Sequence, residues 1–141
     1  MSYYTFYDNT TGRIIAVRSL DTAPPRLESF VEGLYLPDLY YIEKGRPVQF
    51  PPKPAGSKGA QYRWDWKTKT WQYDEDLTIS FARRFRQQLL GNVDQVNPLW
   101  YDSMTQQQKD ELASYRQALL DVTDQPDWPV NIIWPAKPVW L

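Results

Sequence analysis

Three segments in the first half of the chain alternate aromatic or β-branched residues with polar ones, and a turn-forming stretch interrupts each of them. Alternation with a period of two is typical of strands that expose one face, and Gly12 and Gly45 lie in two of the interruptions. The pattern therefore predicts three β-hairpins. Their strands are expected at residues 3–7 and 13–18, 39–43 and 46–50, and 61–66 and 70–73.

The hydrophobic period lengthens to about four residues after residue 76. Leu77, Phe81, Phe85 and Leu89 recur at that spacing, and the pair at residues 91–92, Gly-Asn, is typical of a helix C-terminus. We predict an amphipathic helix over residues 77–90 with this row as its buried face.

A second helix is indicated by a capping signature and a new apolar stripe. Thr105 and Gln108 have the spacing of a capping box, in which each residue bonds the backbone of the other. The stripe that follows consists of Leu112, Tyr115, Leu119 and Val122. Because each helix has one apolar face, the two are expected to pair as an antiparallel hairpin.

The last residues form a tail that alternates prolines with tryptophans. Proline lacks a backbone N–H and fixes φ, so Pro126 ends the helix and the tail is expected to be extended. Either the tail packs on the chain's own helices or it binds a second protein. The resulting fold class is α+β, with a β-rich aromatic region (1–75), a two-helix hairpin (76–124) and an extended Pro/Trp-rich tail (125–141).

Composition argues against most enzymatic chemistry. The 141 residues include no cysteine and no histidine, so thiol nucleophiles, His-dependent triads and most transition-metal sites lack their central group. No phosphate-binding loop has the required spacing. We expect a protein that is not an enzyme and has no metal or other cofactor; a hydrolase that uses carboxylates alone is the weakest alternative.

Charge and hydropathy limit the partners. The formal net charge is −1, which gives no overall attraction to nucleic acid, and no apolar run is long enough to span a membrane. No secretory leader opens the sequence. We therefore expect no nucleic-acid or membrane partner, and a location in the cytoplasm.

Aromatic residues make up 16% of the chain, and five of them, the last being Tyr73, belong to the third predicted hairpin. Such rings either fill the core of a small sheet or form an exposed surface on which sugars stack. The candidate ligand surface consists of Tyr62, Trp64, Trp66 and Trp71.

The C-terminal segment resembles the phage tail assembly chaperone family, whose members are also called tail fibre assembly proteins. The resemblance covers about residues 78–138. It is carried by residues 115–119 (Tyr-Arg-Gln-Ala-Leu), the helix exit at residues 121–125, Trp128-Pro129, and Ile133-Trp134-Pro135 with Pro138.

This resemblance implies a non-enzymatic protein that binds a phage tail or tail-fibre polypeptide in the host cytoplasm, and that either leaves after assembly or stays in the virion tail. Partner contacts are expected in the tail, because tryptophans anchor interfaces and prolines hold a segment extended. The candidates are Trp128, Pro129, Trp134, Pro135, Pro138 and Trp140, together with Arg116 of the helix. The alternative is a carbohydrate-binding module or host-attachment accessory that uses the hairpin's exposed rings.

Overall fold

The computed structural model describes residues 1–141 and has the mixed α+β architecture expected from the sequence. The chain divides into two compact units. One contains residues 1–53 and 66–69, and the other contains residues 54–65 and 70–141.

The first unit is built on two small antiparallel sheets. One sheet has the strand order β2-β1-β3, and the other is the hairpin β4-β5. The strands are β1 (Ser2–Tyr7), β2 (Ile14–Leu20), β3 (Phe30–Glu32), β4 (Tyr40–Glu43) and β5 (Arg46–Gln49). The first two predicted hairpins are confirmed, whereas β3 was missed because three residues are too few to establish a period.

Gly12 shows why the first turn requires glycine. Its φ is +86°, and a Cβ at this position would lie 2.1 Å from the carbonyl oxygen of Ile42. That close approach lets the Ile42 N–H donate to the Gly12 carbonyl at 2.8 Å. Any residue with a Cβ at this position would therefore separate the first hairpin from β4.

Aromatic rings form much of this unit's interior. Tyr41 is buried, and its ring lies 5.1 Å from that of Phe50 and 6.0 Å from that of Trp66. Burial raises the pKa of Tyr41, and the nearby Glu43 carboxylate adds to the effect. Lys69 lies over the Tyr41 and Trp66 rings and donates to the Thr11 carbonyl at 2.6 Å.

The second unit contains the third predicted hairpin and all the helices. Its elements are β6 (Tyr62–Asp65), β7 (Thr70–Tyr73), α1 (Glu75–Asp94), α2 (Pro98–Ser103), α3 (Gln106–Leu120) and a 3₁₀ turn at Asp121–Asp124. The hairpin and the two long helices are confirmed, but α2 was not predicted. The proposed end of the first helix at residues 91–92 is wrong, because α1 continues to Asp94 and Gly91 is an ordinary helical position.

α1 and α3 run antiparallel and share the core of this unit. Arg86 contacts the Leu120 carbonyl, and Asp94 contacts Arg116. Higher residue numbers in α1 therefore lie beside lower residue numbers in α3, as in an antiparallel pair. Between the helices lies a cluster of buried side chains consisting of Leu90, Val93, Leu112, Tyr115 and Leu119.

Candidate partner-binding surface

Capping fixes where α3 begins. The Thr105 hydroxyl accepts from the Gln108 N–H at 3.2 Å, and the Gln108 side chain accepts from the Thr105 N–H at 3.0 Å. The predicted capping box is therefore confirmed. With this start, Leu112, Tyr115, Leu119 and Val122 are all buried, as the sequence predicted.

The apolar row of α1 behaves differently from its predicted role. Phe81 and Phe85 are 46% and 45% exposed, and Leu77 is also exposed. The inward face of α1 instead carries Thr78, Ala82, Leu90 and Val93. The expectation that the row is the buried face of the helix is therefore wrong for Leu77, Phe81 and Phe85. Leu89, the last member of the row, is half-buried and packs against the buried cluster.

Small side chains occupy the inward face at the start of α1 because the backbone before β6 approaches there. The Thr78 hydroxyl accepts from the Gln61 N–H at 3.0 Å and donates to the Asp74 carbonyl at 2.7 Å. Thr78 is almost completely buried, at 1% exposure. A phenylalanine in its place would keep this segment away from the helix.

The tail begins with a compact turn that its own side chains hold. Gln125 bonds the Ile133 backbone twice, accepting from the N–H and donating to the carbonyl at 2.8 Å each. Asn131 pairs with Lys58, which lies before β6: its side chain accepts from the Lys58 N–H, and its own N–H donates to the Lys58 carbonyl. The peptide bond between Trp128 and Pro129 is cis.

The rest of the tail lies on both long helices. The Trp134 ring meets the Phe85 ring edge to face at 4.7 Å. The Trp140 indole N–H donates to the Glu111 carboxylate at 2.6 Å. Both tryptophans and Leu141 pack against the buried cluster, so the tail completes the chain's own core, one of the two alternatives left open by the sequence.

Two grooves follow from this packing. The wider one, about 740 Å³, lies between α3 and the segment from Pro135 to Pro138 and has Asp110 and Glu111 in its wall. The narrower one, about 290 Å³, is the α1–tail groove. Its lining includes Phe81, Ala82 and Phe85 of α1, Lys58 and Gln61 before β6, and Trp134 of the tail.

Charge on the α1–tail groove is positive. Lys58 is the only charged residue in the lining, and the Arg84 guanidinium lies 5.6 Å above the Phe81 ring. Exposed aromatic edges beside cations suit a partner segment that is apolar with nearby carboxylates.

The predicted contact residues differ in accessibility. Pro129 is buried, and Arg116 is exposed and forms an ion pair with Asp94 at 2.8 Å. The other candidates are half-buried: Trp128, Trp134, Pro135, Pro138 and Trp140. Their packing on the chain limits each to a partly available surface, and their role as partner contacts stays a prediction.

The four candidate rings of the third hairpin fall in different units. Trp66 belongs to the first unit and packs on Tyr41 and Phe50. In the second unit, Trp64 meets Trp71 edge to face at 5.1 Å, and Tyr62 meets Tyr73 at 6.0 Å. All four predicted rings are half-buried, which leaves the sugar-stacking hypothesis a prediction.

No group of three or more acidic, cysteine or histidine side chains is placed to hold a metal ion. None of the helices combines the length and apolar character needed to cross a membrane.

Comparison with protein families identifies the helical part. Residues 79–139 match the model of the family described as phage tail assembly chaperone protein. This part of the chain belongs to that family. The match runs from the first turns of α1 through α3 to Val139, so the phage tail assembly chaperone segment contains the helix pair and the wider groove. It also contains the α1 and tail residues of the α1–tail groove, whereas Lys58 and Gln61 of that groove lie outside the match.

The assignment gives the chain a role in phage tail assembly, in which a chaperone interacts with tail proteins. Residues 1–78 lie outside the chaperone match. Searches of curated proteins and of solved structures gave no match.

Sequence reasoning missed the outward row of α1 and the side chains of α2. Leu99 and Trp100 are 77% and 71% exposed. A signal for α2 was present, since Asn97 caps the helix by accepting from the Leu99 N–H and Pro98 occupies the first turn. No comparable signal existed for the α1 row, because periodicity identifies an apolar face without saying what covers it.

Proposed function

We propose that this protein binds a tail or tail-fibre polypeptide during virion assembly, without catalysis, and that the α1–tail groove is part of the binding surface. The observation that carries the proposal is the exposure of Phe81 and Phe85 beside Trp134. Aromatic side chains are rarely left half-exposed in a group without a binding role. The site of action is the host cytoplasm, where tail polypeptides are made.

The folded tail contributes to this surface as a wall and not as a free ligand. Trp134 supports Phe85, and Asn131 holds Lys58 beside the groove. The prediction from the resemblance, that a tryptophan-proline tail captures the partner, is thereby refined. The tail shapes the groove, and the remaining exposed edge of Trp134 meets the partner.

Co-purification tests this proposal. The chain is co-expressed with each tail and tail-fibre protein of the phage that encodes it, and the captured protein is quantified. Phe81→Ala should lower capture about tenfold, since truncating a central aromatic contact costs at least that much. Leu27→Ala is the matched control, because Leu27 is a fully exposed apolar residue of the first unit. Equal capture by both variants would refute the role of the groove.

We further propose that the protein remains in the virion as a tail component. The apolar α1–tail groove supports this proposal, because a partner that stays bound in the virion keeps such a groove covered. Mass spectrometry of purified particles tests it. A stoichiometric amount in mature virions is the expected result, and absence would leave a chaperone that departs after assembly.

A further inference from the structure

α2 is a small helix that presents apolar side chains to solvent. None of its six residues is buried, and Leu99 and Trp100 are its most exposed large side chains. The helix is nevertheless fixed in place. Asn97 caps its start, the Met104 N–H bonds the Tyr101 carbonyl at its end, and Lys109 of α3 lies over the Tyr101 ring at 4.9 Å.

The same unit contains a concave surface into which such a protruding helix fits, the α1–tail groove. Its floor is aromatic, and the charged groups at its edge, Lys58 and Arg84, are both positive. α2 contains no basic residue and carries one carboxylate, Asp102. Since Leu99 and Asp102 are three residues apart, they lie on the same side of the helix.

These two features cannot meet within one chain. Phe85 in the groove and Asp94 at the end of α1 are separated by nine residues of continuous helix, a rise of about 14 Å. α2 begins only beyond Asp94 and contacts α3 through Lys109, which lies over the Tyr101 ring. An occupant with the shape of α2 must therefore come from another molecule.

We propose that α2 of a second copy of this chain docks in the α1–tail groove, with Trp100 and Leu99 on the aromatic floor and Asp102 beside Arg84. Neither Arg84 nor Asp102 forms an ion pair within the chain, so both are available to pair between copies. The contact joins different surfaces on the two molecules. One copy keeps a free groove and the other keeps a free α2, so repetition leads to a ring or a filament.

The interface is small, because it consists of one short helix in a groove of about 290 Å³. Contacts of this size are weak, and we expect a dissociation constant of about 100 µM. Self-association would then cover the groove until a phage tail polypeptide of higher affinity displaces the second copy. This inference concerns the chain alone, and its test requires no tail protein.

Sedimentation equilibrium of the purified full-length chain tests the contact. The wild-type protein should show an average mass that rises with concentration. Trp100→Ala removes the docking side chain and Phe81→Asp places a charge on the floor of the groove, so each variant alone should associate at least about tenfold more weakly. Both positions are exposed, and unchanged circular dichroism would show that both variants fold.

Mixing the two variants tests whether α2 of one copy meets the groove of another. Trp100→Ala retains an intact groove, and Phe81→Asp retains an intact α2. An equimolar mixture should therefore form a one-to-one complex that neither variant forms alone. An interface in which α2 does not contact the groove would not recover, and that result would overturn the proposal, as would a wild-type chain that stays monomeric at about 1 mM.

A charge exchange tests the pairing of Arg84 with Asp102. Arg84→Glu and Asp102→Lys should each weaken association, and the double variant should regain most of it. Additive loss in the double variant would show that the two side chains do not meet, and would overturn the proposed orientation. Val139→Ala, at a fully exposed apolar position in the tail, is the control and should associate as the wild type does.

Discussion

The two long helices of the second unit carry apolar rows of similar length, but the row of α3 is buried and most of the row of α1 is exposed. The row of α3 is covered by α1 and the tail, and Leu119 has no exposed surface. The row of α1 has the larger side chains, yet Phe81 and Phe85 stay nearly half-exposed. One helix thus supplies the unit's core, and the other supplies its contact surface.

Removal of the tail should have the largest effect on this comparison, because the tail covers α3 and supports the α1 row. Truncation after Asp124 deletes Trp134, Trp140 and Leu141, all packed on the core. We expect a loss of about 4 kcal/mol in the free energy of unfolding, since each half-buried large apolar side chain contributes about 1 to 2 kcal/mol. Urea unfolding followed by circular dichroism measures it.

A truncated chain that kept its stability would show that the tail does not pack on the helices. The same truncation is a poor test of partner binding by itself, because loss of capture would then have two causes. Substitutions on the exposed groove are better suited to that question.

Substitution within each row should separate core from surface directly. Leu119→Ala should cost about 3 kcal/mol, because it leaves a cavity in a fully enclosed site. Phe81→Ala should cost less than about 1 kcal/mol, since an exposed ring loses little burial. Urea denaturation of both variants gives the comparison, and equal costs would contradict the division into a core row and a surface row.

The α1 row also marks the limit of what the sequence could predict. The three hairpins, the capping box at Thr105 and the α3 stripe depend on local signals, and all were predictable. The orientation of α1 was not, because it depends on the backbone at Gln61 approaching Thr78, a long-range contact. Periodicity alone favoured the larger side chains.

The tail shows the same limit in the candidate site. Its lack of helix followed from Pro126 and the later prolines, but its position depended on pairs distant in sequence. Asn131 with Lys58 and Trp140 with Glu111 are separated by 73 and 29 residues. No local pattern distinguishes a tryptophan that meets Glu111 from one that anchors a partner.

The capping box provides a smaller test of how firmly α3 is held. Thr105→Ala removes the hydroxyl that accepts from Gln108 and should cost about 1 kcal/mol. Thr105→Ser keeps an acceptor and should cost much less. Thermal unfolding of the two variants measures the difference, and identical melting temperatures would mean that the tail and α1 hold the start of α3 without the cap.

Substitution of Arg116 should have the smallest effect on stability, and it also tests whether Arg116 contacts a partner. It pairs with Asp94 on the surface of the helix pair, and both side chains are nearly half-exposed. Solvent and salt screen such a pair, so Arg116→Ala should cost less than about 1 kcal/mol. Asp94→Asn breaks the same pair while leaving Arg116 in place. If Arg116 contacts the phage tail polypeptide, Arg116→Ala should lower capture in the co-purification assay and Asp94→Asn should not. Equal capture by both variants would restrict Arg116 to joining α1 and α3.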